Sequence, residues 1–460
     1  MMEDTIAAIA TPLGEGGIAI VRVSGREAVD IVEKVFRPVP GGKRLKDRGG
    51  YTLGLGWIVD RKGNHVDEVL VTVMRGPKSY TAEDVVEINC HGGVLAAIRC
   101  LETVLENGAR LAEPGEFTKR AFLNGRLDIS QAEAVIDIIR AKTEKGMSMA
   151  VKQLEGMLRK RVAELEDRLV GLNTMVEASI DFPEEVGDLD EEIARQQAQE
   201  ILRELEGLLR AGERNRVYQW GVKVVIAGKP NVGKSSLLNA LLRKKKAIVT
   251  DIPGTTRDIV EDYINVKGIP VNIMDTAGIR ETGDLVERIG VERSEEVISE
   301  ADIILAVLDA GAGISEEDER VAKMVAGRRV IVLVNKEDLE EKRVTLEEVE
   351  RLFPGQTVVR GSVKEEIGLE ELESAIEEAV LAGKVEAGDE DIMVNLRQEE
   401  AFRRVKTSME GFLAGLETNT SLDCLAVDIG EALEALGEIT GKTLKEDVIE
   451  RIFRDYCIGK

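Results

Sequence analysis

Residues 228–235 read Gly-Lys-Pro-Asn-Val-Gly-Lys-Ser, the spacing G-x-x-x-x-G-K-S. Glycines at Gly228 and Gly233 let consecutive backbone N–H groups turn inward. A helix starting at the lysine aims the positive end of its dipole at the same point. Asn231, Val232, Gly233, Lys234, Ser235 and Ser236 are therefore expected to cradle nucleotide phosphates. Lys234 would reach the β- and γ-phosphates and the Ser235 hydroxyl would ligate Mg2+. The aliphatic run Val222–Ala227 precedes this loop and SSLLNALLRK follows it, the strand–loop–helix context such a loop needs.

Further polar groups follow in order. Asp275-Thr276-Ala277-Gly278 ends a second aliphatic run. Asp275 would hold Mg2+ through water, and the Gly278 N–H would sense the γ-phosphate. Asn335-Lys336-Glu337-Asp338 closes the run VIVLV. A carboxylate at Asp338 accepts two hydrogen bonds from guanine N1 and N2, which adenine cannot supply, so this pattern selects GTP over ATP. Ser362-Val363-Lys364 stands where such proteins usually carry Ser-Ala-Lys, which places Ser362 at the base. Gly254-Thr-Thr-Arg-Asp258 falls between the first helix and the Asp275 run, where a switch loop belongs, with Thr256 as second protein ligand of Mg2+. Ile279 holds the place of the glutamine that orients water in small signalling GTPases. Water must be positioned by another group.

The elements that must position these residues are legible in outline. Short aliphatic runs alternate with helical stretches from Val222 to about 382, with strands expected at Val222–Ala227, Val271–Met274, Ile303–Leu308, Val330–Val334 and Thr357–Val359; that alternation predicts a mostly parallel sheet. Before about residue 120 the chain is Gly-rich, with strands expected at Ile18–Val23, Val69–Met74 and Val85–Ile88 and helices near 26–36 and 93–106, an α+β unit. Residues 120–215 are helical, with Ser130 as expected N-cap and a break at Pro183, and the chain is helical again after about 390. An α/β unit is thus inserted into, or docked on, a helical one whose two halves flank it.

Composition narrows the function classes. The chain has 460 residues, 62 basic against 86 acidic, net −24. This acidity argues against a broad basic nucleic-acid face, while leaving room for a local patch. The four cysteines, Cys90, Cys100, Cys424 and Cys457, include no Cys-x-x-Cys pair, and there are two histidines, His65 and His91. By spacing, neither a disulfide framework nor a structural zinc site is expected. His91 reads as a packed or turn histidine. No apolar run is long enough to span a bilayer and no signal peptide is expected at the N-terminus, so a reducing cytoplasm, or an equivalent compartment, is the expected location.

Beyond the nucleotide motifs, ATPLGEGGIAIVRVSG at 10–25, SYTAEDVVEINCHGG at 79–93, PGEFTKRAFLNGRLD at 114–128 and the tail Cys457-Ile458-Gly459-Lys460 resemble the MnmE (TrmE) family of tRNA wobble-uridine modification GTPases, along essentially the whole length. The resemblance implies a folate-binding N-terminal α+β domain (1–119), a discontinuous helical domain (120–217 and 383–460) and an inserted Ras-like P-loop GTPase domain (218–382). It implies a homodimer working with a flavin-dependent partner, MnmG, which carries FAD. The pair would attach a carboxymethylaminomethyl-type group to C5 of the wobble uridine of tRNA, using a tetrahydrofolate one-carbon unit. It further implies K+ in place of an arginine finger, held by Asn231, Thr250, Ile252 and Thr255, with Glu287 orienting the attacking water. Folate would be held by Arg22, Glu87, Arg126 and Lys460; the family often has lysine at the Arg126 position. Cys457 is open to two readings, a nucleophilic or redox-active thiol and a non-catalytic one. A second class of function, an Era-like GTP-timed ribosome-assembly switch, shares the nucleotide motifs. It calls for a basic RNA-binding domain, where this chain has the folate-type segments and the Cys457 tail.

Overall fold

The computed structural model describes residues 4–245, 263–275, 298–381 and 391–460. Its first unit is a seven-stranded sheet of β1 (Ile6–Ile9), β2 (Gly16–Ser24), β3 (Phe36–Pro38), β4 (Thr52–Val59), β5 (His65–Met74), β6 (Val85–Gly92) and β7 (Arg110–Leu111), in the order β3-β4-β5-β6-β2-β1-β7. All neighbours are antiparallel except β1 and β7. Alternation sorts the strands' side chains. Val21, Val23, Val69, Val71, Val73, Val86 and Ile88 turn inward against α1 (Ala28–Val35) and α2 (Val94–Glu106). Ile18, Leu53, Leu55 and Leu70 are exposed. Strand β4 was not expected because Gly54 and Gly56 interrupt it, and glycine weakens a strand interior. They are there for space: a Cβ on Gly54 would collide with the Arg48 guanidinium, and one on Gly56 with the Phe36 ring and Arg37 carbonyl.

Helices α3 (Glu116–Leu123), α4 (Ile129–Arg140) and α5 (Glu144–Leu154) lead into a long antiparallel layout: α6 (Met157–Asp181), the short α7 (Pro183–Val186) and α8 (Glu191–Trp220). Pro183 sits at the start of α7, where its missing N–H costs nothing. Ser130 is not the cap of α4. Asp128 takes that place, its carboxylate accepting from Gln131 N at 2.9 Å and from Ser130 Oγ at 2.6 Å, while Gln131 Oε1 accepts from Asp128 N. A carboxylate two residues earlier outcompetes a hydroxyl already inside the helix.

The buried apolar residues of α6 are Leu158, Val162, Leu165, Leu169, Leu172 and Val176; those of α8 include Ala194, Ala198, Ile201, Leu205 and Leu208. Spacings alternate four and three, the seam of a left-handed bundle. The partners come from the far side of the insertion, where Phe402, Val405, Met409 and Phe412 join Leu425, Ile429, Leu436 and Ile439 in the same core.

The inserted unit is a six-stranded sheet of β8 (Val222–Ala227), β9 (Tyr263–Val266), β10 (Ile269–Asp275), β11 (Ile303–Asp309), β12 (Val330–Asn335) and β13 (Thr357–Arg360), ordered β13-β12-β11-β8-β10-β9. All pairs are parallel except the edge pair β9/β10. Its described helices are α9 (Lys234–Lys245), α10 (Glu316–Met324), α11 (Leu346–Leu352) and α12 (Leu369–Leu381), apart from one helical segment at 298–300. Strands β8, β11 and β12 are buried almost throughout, as strands covered on both faces must be. The chain then returns as α13 (Leu396–Glu417), α14 (Leu422–Thr440) and α15 (Glu446–Arg454). Among the described residues no helix is long and apolar enough to cross a membrane.

Candidate functional site

The phosphate loop leaves the C-terminal end of β8 and enters α9. Gly228, Asn231 and Gly233 have φ of +152°, +62° and +106°, the left-handed turns that direct successive N–H groups to one side. A Cβ on Gly233 would lie on the Asn335 side-chain amide, so this glycine also permits a close approach of two loops. Lys234 is nearly buried, and its Nζ donates to the Gly228 and Lys229 carbonyls at 2.7 and 2.9 Å, folded into the mouth of its own loop. Ser235 and Ser236 are exposed at the start of α9.

The Asn335–Asp338 segment, where the sequence places the base, is tied to the loop by side chains. Asn335 Nδ2 donates to the Val232 carbonyl at 2.8 Å, while its Oδ1 accepts from Val363 N at 3.0 Å. That second bond uses only the backbone of residue 363, which is why valine serves there. Lys336, at φ +68°, donates to the Asn231 carbonyl at 2.9 Å and to Asp309 Oδ2 at 2.6 Å. Asp338 Oδ1 accepts from Ser362 Oγ at 2.6 Å, and this hydrogen bond holds the exposed carboxylate below its ordinary pKa. Sequence reading missed Asp309. Burial works to raise its carboxyl, but Lys336 and the Gly311 N–H reverse this, leaving it below its usual range. The available signal was its position closing the run IILAVL.

Thr250, Ile252, Thr255, Thr256, Gly278 and Glu287 lie outside the described residues, and Asp275 is described only as the last residue of β10.

A second polar pocket forms where the C-terminal segment crosses the first sheet. Arg22 on β2 and Glu87 on β6 are directly paired in register, and Arg22 Nε donates to Glu87 Oε1 at 2.9 Å. Arg22 Nη1 donates to the Gly459 carbonyl at 3.1 Å, and the Gly115 N–H donates to the Cys457 carbonyl at 3.4 Å. Gly459, at φ +94°, sits so close to β1 that a Cβ would collide with the Ile9 carbonyl. Tyr456 anchors this tail, its hydroxyl donating to the Ala132 carbonyl at 2.8 Å. Burial, then the nearby Arg22 guanidinium, push the half-buried Lys460 ammonium below its ordinary pKa. Arg126 donates to the Tyr80 carbonyl at 2.9 Å, and the Arg22 and Arg126 guanidiniums lie 5.2 and 5.0 Å from the Tyr80 ring centroid. The fold thus brings Arg22, Glu87, Arg126 and Lys460 to one place, with Tyr80 as a member that sequence reading did not single out. The Cys457 side chain is exposed beside it. His91 is not packed: it is exposed at the end of β6, its Nδ1 2.6 Å from Asp67 Oδ1.

A mostly parallel sheet, a glycine-cornered loop between its interior strand β8 and helix α9, and an aspartate–serine pair beyond the ends of β12 and β13 are the architecture of a P-loop GTPase. Residues 5–126 match the family described as GTP-binding protein TrmE N-terminus, and residues 129–457 match the MnmE helical domain. The tRNA modification GTPase MnmE of Syntrophomonas wolfei is 61% identical over the full length of both chains, and that of Bacillus subtilis 48% identical over 99% of this chain and all of its own. A solved structure of Aquifex aeolicus Era bound to GDP.AlF4- is 30% identical, covering 41% of this chain and 67% of that one, with a TM-score of 0.29. The chain belongs to the MnmE family.

Proposed function

We propose that this protein hydrolyses GTP to drive modification of C5 of the wobble uridine in tRNA, taking a one-carbon unit from a tetrahydrofolate and acting with a flavin-dependent partner of the MnmG type. The family membership supports the tRNA reaction, and the whole-length match disfavours an Era-like assembly switch. We divide the chain into a folate-binding domain (1–119), a helical domain (120–217 and 383–460) and a GTPase domain (218–382), located in the cytoplasm. The exposed apolar sheet face of Ile18, Leu53, Leu55 and Leu70 supports pairing as a homodimer.

The observation that carries the folate reading is the Arg22–Glu87–Lys460 pocket. A pterin presents an amide N–H and an amino group, which a carboxylate at Glu87 accepts, and its glutamyl tail is anionic, which suits Arg126 and Lys460. Tyr80 offers a ring face beside them. Glu87→Gln removes the charge while keeping the shape. It is expected to weaken binding of 5-formyltetrahydrofolate by about 10- to 100-fold in isothermal titration; unchanged affinity would place the pteridine elsewhere.

Ser235 fits a Mg2+ ligand, being an exposed hydroxyl at the start of α9, and Thr256 would complete the pair. The Asn231 backbone, held open at positive φ with its carbonyl tied to Lys336, leaves the side chain to serve a K+ ion with Thr250, Ile252 and Thr255. Such a cation, when bound, supplies positive charge where the transition state gains negative charge. The chain's own contribution is positional: Lys234 on the phosphates, Asp338 and Ser362 on the base, Glu287 on water. GTP hydrolysis is therefore expected to be about a hundredfold faster in KCl than in NaCl at equal ionic strength, and Asn231→Ala to abolish the difference. Equal rates in the two salts would leave a GTPase without cation activation.

A further inference from the structure

The inner face of the first sheet holds a donor cluster that neither the nucleotide site nor the second pocket uses. Cys90 projects inward from β6, in line with Val86 and Ile88, and is 2% exposed. Cys100 faces it from α2 and is fully buried. Asp67, inward-facing on β5, brings a carboxylate to the same spot, so that Cys90 Sγ, Cys100 Sγ and one Asp67 oxygen all lie within 4.8 Å of one another. Most of the surroundings are aliphatic: Ala19, Val69, Ile88, Ala97 and Val104 belong to the same core.

Two thiols and a carboxylate match the ligand types of a borderline-soft divalent ion. Zinc takes sulfur at about 2.3 Å and carboxylate oxygen at about 2.1 Å in a tetrahedron, which requires donors about 3.5–3.8 Å apart, within reach of this cluster by small side-chain rotations. Asp67 is also oriented. Its Oδ2 accepts from the His91 backbone N–H at 2.8 Å, and its Oδ1 pairs with His91 Nδ1 at 2.6 Å. This is the arrangement by which an outer imidazole fixes a ligating carboxylate. Each oxygen keeps lone pairs free for a cation. The Cys90 thiol lies 3.3 Å from the Ala19 carbonyl, its other polar neighbour.

We propose that Asp67, Cys90 and Cys100 form a binding site for a thiophilic divalent cation of the zinc class, with water or the Ala19 carbonyl in the fourth position. Spacing along the chain conceals the site, because its donors come from two strands and a helix rather than from a Cys-x-x-Cys turn. Metal binding there ties α2 to β5 and β6. Strand β6 carries Glu87 on its opposite face, so the ion acts as a structural clasp behind the second pocket.

The test uses the full-length chain with Cys424→Ser and Cys457→Ser, which leaves Cys90 and Cys100 as its only thiols. Titration with Co2+ is expected to give one equivalent with a thiolate-to-cobalt charge-transfer band, displaced by Zn2+. Zn2+ is also expected to raise the melting temperature, by an increment that grows with the logarithm of its free concentration over Kd. Co2+ at the nucleotide site meets oxygen ligands only and does not produce that band. Cys90→Ala/Cys100→Ala is expected to lose the band and the thermal shift. Asp67→Asn, which keeps the shape, is expected to weaken Zn2+ by about 10- to 100-fold. A folded protein that shows no thiolate band, or one that keeps the band and the thermal shift after Cys90→Ala/Cys100→Ala, overturns the proposal and leaves the pair as packed core thiols.

Discussion

Asp338→Asn is expected to lower GTP affinity by roughly 100- to 1000-fold and to raise affinity for xanthosine triphosphate by a comparable factor. The carboxylate accepts a hydrogen bond from Ser362 Oγ at 2.6 Å, and an asparagine oxygen can keep that bond. What changes is the other atom, an acceptor in aspartate and a donor in asparagine. Guanine offers N–H groups there and repels a donor, whereas xanthine carries a carbonyl at the same carbon and accepts one. Competition binding against a fluorescent guanine nucleotide measures both affinities. A loss of GTP affinity below about threefold would mean that the base is read elsewhere.

Arg120→Ala is expected to destabilise the first unit by about 3–5 kcal/mol. Arg120 is 1% exposed and lies among Asp4, Glu83 and Glu116. Its Nη1 donates to the Asp4 carbonyl at 2.9 Å and its Nη2 to Asp4 Oδ1 at 2.7 Å and Glu116 Oε1 at 3.1 Å. Removing the cation takes from the buried Glu83 and Glu116 a partner that the Ser24 hydroxyl and Arg110 replace only in part, which costs more than the pair itself contributes. The effect depends on pH in a definite direction. Burial works to raise the Glu116 carboxyl, but hydrogen bonds from Arg110, the Glu113 N–H and Arg120 more than reverse it, and its folded pKa lies below its ordinary value. Asp4 is lowered likewise, against burial, by Arg110 and Arg120. A carboxylate depressed in the folded state contributes stability above its unfolded pKa and loses it as pH falls through the folded one. The gap between wild type and Arg120→Ala in chemical denaturation is therefore largest at neutral pH and shrinks below about pH 4. A gap constant across that range would mean that volume, not charge, sets the loss.

Legibility in the sequence tracked the chain distance over which each site is built. The phosphate loop and the Asn335–Asp338 turn are contiguous, and each lies at the end of a buried aliphatic strand, so type and spacing sufficed. Asp309 joins them through Lys336 and through its register with Asn335, from a different strand end, and a lone aspartate closing an apolar run carries no pattern. The second pocket draws Arg22, Glu87, Tyr80 and Gly459 from four segments; nothing local in any of them points to the others. Family motifs supplied four of its members, while the aromatic wall was visible only once Arg22 and Arg126 were seen beside Tyr80. Strand β4 hid behind glycines required by Phe36 and Arg48, and the α4 cap was misread because two capping residues stand two positions apart. Helix seams in α6 and α8 were plain, since alternating spacings of four and three are a local property.

The split bundle has a consequence for how the chain comes to be folded. Leu158 to Val176 and Ala194 to Leu208 bury against Phe402 to Phe412 and Leu425 to Ile439, and the entire nucleotide-binding sheet is synthesised between them. During translation the first two helices therefore emerge with an apolar seam that has no cover. The inserted sheet, whose strands pair within residues 222–360, can complete itself first, because domains fold as units in the order they appear. The bundle closes last, and its contacts join residues far apart in sequence, a topology that slows folding and prolongs exposure of that seam. A nascent chain halted within the insertion thus presents a helix pair whose aliphatic seam lacks its two later partners, the kind of surface a holding chaperone binds.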